Sequence, residues 1–181
     1  KILELEIRKV VFNLVSRYVA LLLIAIYGLG IFYDIFTPLT VYLVYFLLGL
    51  SFDVSVVSST VILIEQTLSI LFVPACIGGA AYFLLLILNL STSGIKLRKR
   101  IYMVSLSFLA LLVINVLRIS ILSAMAFSGS PYFDVTHKIF WYLLSTVFVL
   151  GIWFSEVKYF NINKIPFYSD LNFLYNASRR R

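Results

Sequence analysis

Cys76, Arg118 and His137 are the side chains of this sequence whose types, taken together, could carry out acyl transfer. A cysteine attacks as its thiolate, and a nearby cation lowers the thiol pKa from about 8.5. Arginine keeps its proton in proteins, so it is no base, but it can hold a thiolate or stabilise the oxyanion of a tetrahedral intermediate. Histidine can accept the thiol proton and return it to a leaving amine. Asn115 stands one helical turn before Arg118 on the same face, close enough to orient the guanidinium. Each residue also has a plainer reading. A lone cysteine in an apolar helix is commonly a small filler, and an arginine near the end of a span can snorkel or pair with a structural carboxylate. His137, beside Lys138, can be an exposed loop residue, and Gly78 and Gly79 can serve close helix packing.

These residues lie in a very apolar chain. Of its 181 residues, 62% are hydrophobic and 13% charged, against about half and a quarter in soluble globular proteins. That composition excludes a water-soluble domain, a disordered chain and a nucleic-acid-binding module. The net charge of +7 records membrane topology, because the charges cluster between apolar runs. One cysteine and one histidine leave no disulfide framework and make a thiolate- or histidine-based metal site unexpected. No metal or other cofactor is expected. The composition predicts an all-α integral membrane helical bundle, with residues 1–181 as a single membrane domain.

The apolar stretch 10–33 exceeds the ~20 residues that cross a bilayer. No small-x-small cleavage site follows it, so it reads as a span rather than a signal peptide. Residues 35–50 are apolar but short, with Thr37-Pro38 near their start. Residues 51–73 are rich in Val, Ile and Thr, with Glu65-Gln66 suited to a bend, which predicts a small β-like hairpin. Residues 74–90, 101–127 and 139–154 are further spans, and 96–100 form a basic loop. The positive-inside rule puts that loop in the cytoplasm. Segment 51–73 is then an extracytoplasmic insert, 74–154 hold the catalytic core spans, and 1–9 and the tail 155–181 are cytoplasmic. The outer side keeps Asp34, Asp53, Glu65 and Asp134 with only Lys138. Two inside termini require an even number of crossings, so the expected fold has four full spans plus one short or re-entrant segment at 35–50. Five crossings would leave Lys1, Arg8, Lys9 and Arg17 outside.

Helical rise then gives depths. At ~1.5 Å per residue, Arg118 lies ~27 Å from Arg100, Cys76 ~30 Å from Lys96 and His137 ~28 Å from Glu156. The hydrocarbon core is ~30 Å thick. All three residues are thus expected at the outer boundary, each from a different helix.

In Pro74-Ala-Cys76-Ile-Gly78, in Asn115-Val-Leu-Arg118 and in His137 before the last span, the chain resembles the exosortase/archaeosortase family of membrane cysteine transpeptidases. The resemblance covers roughly residues 37–153. It implies Cys76 as nucleophile, Arg118 as transition-state stabiliser and His137 as acid/base, with Asn115 and Gly78 in support. Two positions depart from the family pattern. Ile77 stands where members often have Ser or Thr, and Trp141 where a glycine commonly follows the histidine.

The resemblance further implies the reaction, cleavage of the C-terminal sorting signal of exported surface proteins at the outer face of the cell membrane. Such a substrate carries a short motif, a hydrophobic helix and a basic tail. A thioacyl-enzyme would pass the new C-terminus to water or to an acceptor, a lipid or glycan among the candidates. Membrane lipids are the other expected partner, and nucleic acid is not one. The alternative is a non-enzymatic membrane subunit that captures substrate for a small-molecule transporter, using Arg118 but not Cys76.

Overall fold

The computed structural model describes residues 29–92 and 95–162, with isolated positions before residue 29. Segment 1–9, most of the expected span 10–33 and most of the tail 155–181 therefore lie outside the described residues.

Helix α1, Leu29–Leu48, buries Phe32, Phe36, Thr40, Val41, Val44 and Leu48. That three-and-four spacing forms one apolar stripe facing the bundle. Pro38 sits inside this helix. A proline removes one backbone donor, and here the helix continues through it to a full 20 residues. The segment expected to be short or re-entrant is thus the larger part of a helix long enough to cross a membrane.

Strands β1 (Val54–Ser58), β2 (Val61–Ile64) and β3 (Leu68–Leu71) follow as an antiparallel sheet in the order β1-β2-β3. The expected hairpin is therefore a three-stranded meander. Ile62 and Ile64 point inward and are fully buried, as the period-two alternation of a strand requires. Glu65 and Gln66 form the bend with φ of 48° and 54°, a left-handed pair that suits the twist of a hairpin. The Glu65 and Asp53 backbones close the far end of the ladder, with Glu65 N–H donating to Asp53 O at 2.8 Å. Asp53 N–H in turn donates to Glu65 Oε1 at 3.0 Å.

The expected span 74–90 is broken. Helix α2, Pro74–Ile77, ends at Gly78, whose left-handed backbone (φ 74°) starts helix α3, Gly79–Ser91. Glycine takes that conformation at no steric cost. With 13 residues, α3 is ~20 Å long, shorter than a full span. Helix α4, Leu97–Phe127, is the longest element at 31 residues. It absorbs most of the basic run 96–100 into its first turn, so that run is a helix start rather than a loop. Helix α5, Phe133–Tyr142, leads through a π-helical turn, Leu143–Phe148, into α6, Val149–Tyr159. The α5 and α6 segments are bent by 47°.

Among the described residues, two helices, α1 and α4, are long and apolar enough to cross a membrane, or three if the bent pair counts as one span. Four full spans are not supported among these residues. The left-handed break at Gly78 and the bend at the π turn shorten the other candidates.

The elements share one packed core. Phe36 stacks on Tyr82 with ring centroids 3.7 Å apart, and Phe108 meets both rings edge-on, which locks α1, α3 and α4 together. The bundle has two distinct ends. At one, Arg100 donates to the Leu90 and Thr92 carbonyls that end α3, and Lys99 Nζ donates to Phe160 O beyond α6 at 2.8 Å. At the other, Phe52 before β1 packs edge-on against Phe127 at the end of α4, so the sheet covers the end away from the basic cluster.

Candidate active site around Cys76

The α2 helix has only four residues, so its last carbonyls, those of Cys76 and Ile77, lack a following turn to bond and need other donors. Helix α4 supplies them. Asn115 Nδ2 donates to the carbonyls of Cys76 at 2.9 Å and Ile77 at 3.1 Å. Arg118 Nη2 donates to the same Cys76 carbonyl at 3.1 Å. Gly78 N–H closes the turn onto Pro74 O at 3.1 Å. Cys76 is thus held in a fixed turn by two side chains of the neighbouring helix.

Asn115 and Arg118 occupy the buried face of α4, with Leu111, Leu112, Val116, Ile119 and Leu122 around them. Arg118 is only 6% exposed, and an intramembrane arginine is costly unless its donors are satisfied. One of its donors is spent on Cys76 O, while Nε is buried without a hydrogen-bond partner among the described residues. Asn115 Oδ1 is likewise buried and unpartnered among the described residues. Cys76 itself is half-buried with a free thiol, near enough to the guanidinium for the two to interact electrostatically. The arrangement can fix a thiol-bearing turn beside a permanent cation with donors to spare.

His137 lies elsewhere. It is on α5, exposed, with its ring parallel to that of Phe133 at 5.7 Å and edge-on to Trp141 at 6.3 Å. It is therefore a helical residue, not a loop one. Counting from the turn that joins α4 to α5, Arg118 lies ~14 Å down its helix and His137 ~6 Å down its own. Helix α5 packs against α4. Among the described residues, no hydrogen bond joins His137 to Cys76 or Arg118.

The depth arithmetic holds along α4, where the helix is unbroken from Leu97 past Arg118. For Cys76 and His137 it assumed straight helices, and Gly78 and the 47° bend remove that basis. Trp141 forms part of the aromatic surround of His137. No group of His, Cys, Asp and Glu able to hold a metal ion occurs among the described residues.

A second polar cluster was missed in the sequence. Glu156 is buried on α6 and accepts from Asn89 Nδ2 of α3 at 3.1 Å, and Asn89 Nδ2 also reaches Ser107 Oγ of α4 at 3.3 Å. The signal was present. Val149, Ile152, Trp153 and Glu156 follow the apolar period of α6, so a glutamate stands where the stripe calls for an apolar residue.

Comparison of the chain with protein-family models, with curated proteins and with solved structures finds no match.

Proposed function

We propose that this chain is a membrane-embedded cysteine transpeptidase or protease acting on the C-terminal sorting signal of exported proteins. The observation that supports this most is the double grip of Asn115 and Arg118 on the Cys76 carbonyl. It ties the only cysteine of the chain to a buried arginine across two helices.

In this reading the Cys76 thiolate attacks the scissile carbonyl carbon of the substrate. Arg118 stabilises first the thiolate and then the oxyanion through its remaining guanidinium donors. The C–N bond breaks, the amine leaves with a proton, and an acceptor or water attacks the thioester to release Cys76. His137 is the candidate for carrying the proton between thiol and amine. Because its ring is exposed and stacked on its own helix, that transfer runs through water or through a side-chain swing. The substrate's hydrophobic helix would lie beside α1 and α4, so that the bilayer itself sets the height of the scissile bond. By the positive-inside rule, the end carrying Lys96, Arg98, Lys99 and Arg100 faces the cytoplasm, and the sheet and Cys76 face outward.

The test is processing of a reporter that carries a motif, a helix and a basic tail, co-expressed with single variants whose membrane levels are measured. Cys76→Ala is expected to abolish cleavage at an unchanged level of the protein. Normal cleavage by Cys76→Ala would end the mechanism. Dependence on Arg118 without dependence on Cys76 would favour the transporter-subunit reading instead.

A further inference from the structure

Midway along α4, between the basic run and the Cys76 turn, a groove of about 610 Å³ runs between α4 and α6. Leu106, Ala110 and Ile114 line it from α4, and Gly151, Ser155 and Glu156 are among those that line it from α6. The α4 residues recur every four positions, so they form one ridge along the helix axis, ~12 Å long. Ala110, Gly151 and Ser155 keep the walls low, which allows another helix backbone to approach closely. A Cβ built at Gly151 would meet nothing within 4 Å.

Glu156 is the one charged residue among those six. It is 4% exposed, and its Oε1 has no hydrogen-bond partner among the described residues. Asn89, which donates to the other oxygen, leaves its own Oδ1 buried and unpartnered among the described residues. One carboxyl oxygen thus lacks a mate among the described residues, and an unpaired buried polar group is costly. Ser107, beside the carboxyl, lies ~10 Å along α4 from Arg100. The carboxyl therefore sits inside the apolar layer rather than at its edge.

We propose that this groove docks a transmembrane helix of a partner protein through a lysine or arginine that pairs with Glu156. A helix satisfies its own backbone in lipid, and a basic side chain can deliver a cation to this depth along an apolar stem. A lipid amine cannot do so without dragging its phosphate into hydrocarbon. The groove is not lined by Cys76, Asn115 or Arg118, and the proposal stands independently of the acyl-transfer reading.

The test uses the full chain in lipid nanodiscs and a synthetic 22-residue Leu/Ala helix (roughly a span's length) bearing one lysine a third of the way along, next to a photo-crosslinking leucine. A matched peptide with leucine in place of lysine is the control. The lysine peptide is expected to crosslink to Ala110 or Gly151 about tenfold more than the control, a difference of ~1.4 kcal/mol. Glu156→Gln, which keeps the shape and the Asn89 bond, should erase that difference. Gly151→Leu, which fills the groove and leaves the carboxyl in place, should abolish labelling by both peptides. Equal labelling by the two peptides, or undiminished labelling of Glu156→Gln, would overturn the proposal. So would displacement of the peptide by phosphatidylethanolamine, which would give the groove to a lipid amine.

Discussion

Arg118 and Asn115 converge on a backbone carbonyl, not on the thiol itself, and this decides what their substitutions should do. Asn115→Leu removes donors to both Cys76 O and Ile77 O and leaves buried acceptors short, at about 1–3 kcal/mol. It should lower thermal stability in detergent as well as activity. Arg118→Lys keeps the charge but loses the planar fork. If Arg118 only caps α2, the lysine variant should process substrate nearly normally. If it stabilises an oxyanion, processing should fall by ~10²–10³-fold, the scale seen when one such donor is lost. Rates measured at equal membrane levels separate these outcomes, and the larger loss is expected. His137→Ala should slow processing by ~10²–10⁴-fold, as for loss of a general acid/base, without changing stability, because its ring packs on the surface of α5.

Among the elements, the α2–Gly78–α3 corner does the positioning. Gly78→Ala forces an L-residue into the left-handed region at about 1–2 kcal/mol and should move the Cys76 turn off its α4 donors. Gly79→Ala is a different lesion, because its Cβ would come within 2.7 Å of the Tyr33 ring. Overpacking of that kind costs about 1–3 kcal/mol, and it should destabilise the α1–α3 contact while sparing the Cys76 turn. Thermal melting paired with the alkylation rate of Cys76 distinguishes the two variants. Residue pattern made some of these elements readable and not others. The sheet was legible because Val, Ile and Thr alternate around Glu65-Gln66, and α4 because its apolar run is long and unbroken. The corner was not, since Gly78-Gly79 reads equally well as close packing and as a left-handed break. The π turn has no proline or glycine to mark it, and Pro38 suggested an end that the helix does not make. That Asn115 and Arg118 share a face followed from their spacing. That they meet the Cys76 carbonyl depends on where α2 stops, which only the fold reveals.

At the scale of the whole molecule, chemistry and charge are segregated. The sheet, the Cys76 turn and the end of α4 occupy one end, and the basic start of α4 and the Glu156 cluster lie toward the other. In a Cys76→Ala background, Ser130→Cys should react with a membrane-impermeant maleimide added to right-side-out vesicles. Lys96→Cys should react only after permeabilisation. The reverse pattern would invert the molecule and put the thiol in the cytoplasm. The position of the basic run was legible because it abuts the longest apolar run, and it starts the longest helix. The number of spans was not, because composition alone cannot distinguish a straight helix from one bent by 47°.

The central claim is that Cys76 is a nucleophile toward a peptide carbonyl, and intact-mass spectrometry of a trapped adduct tests it most directly. The chain is co-expressed with the reporter, quenched in acid without thiols and digested for site assignment. The expected result is a thioester on Cys76 that carries the reporter's new C-terminus, hydroxylamine-sensitive and absent from Arg118→Ala. Unmodified Cys76 in a sample that is actively cleaving the reporter would contradict it.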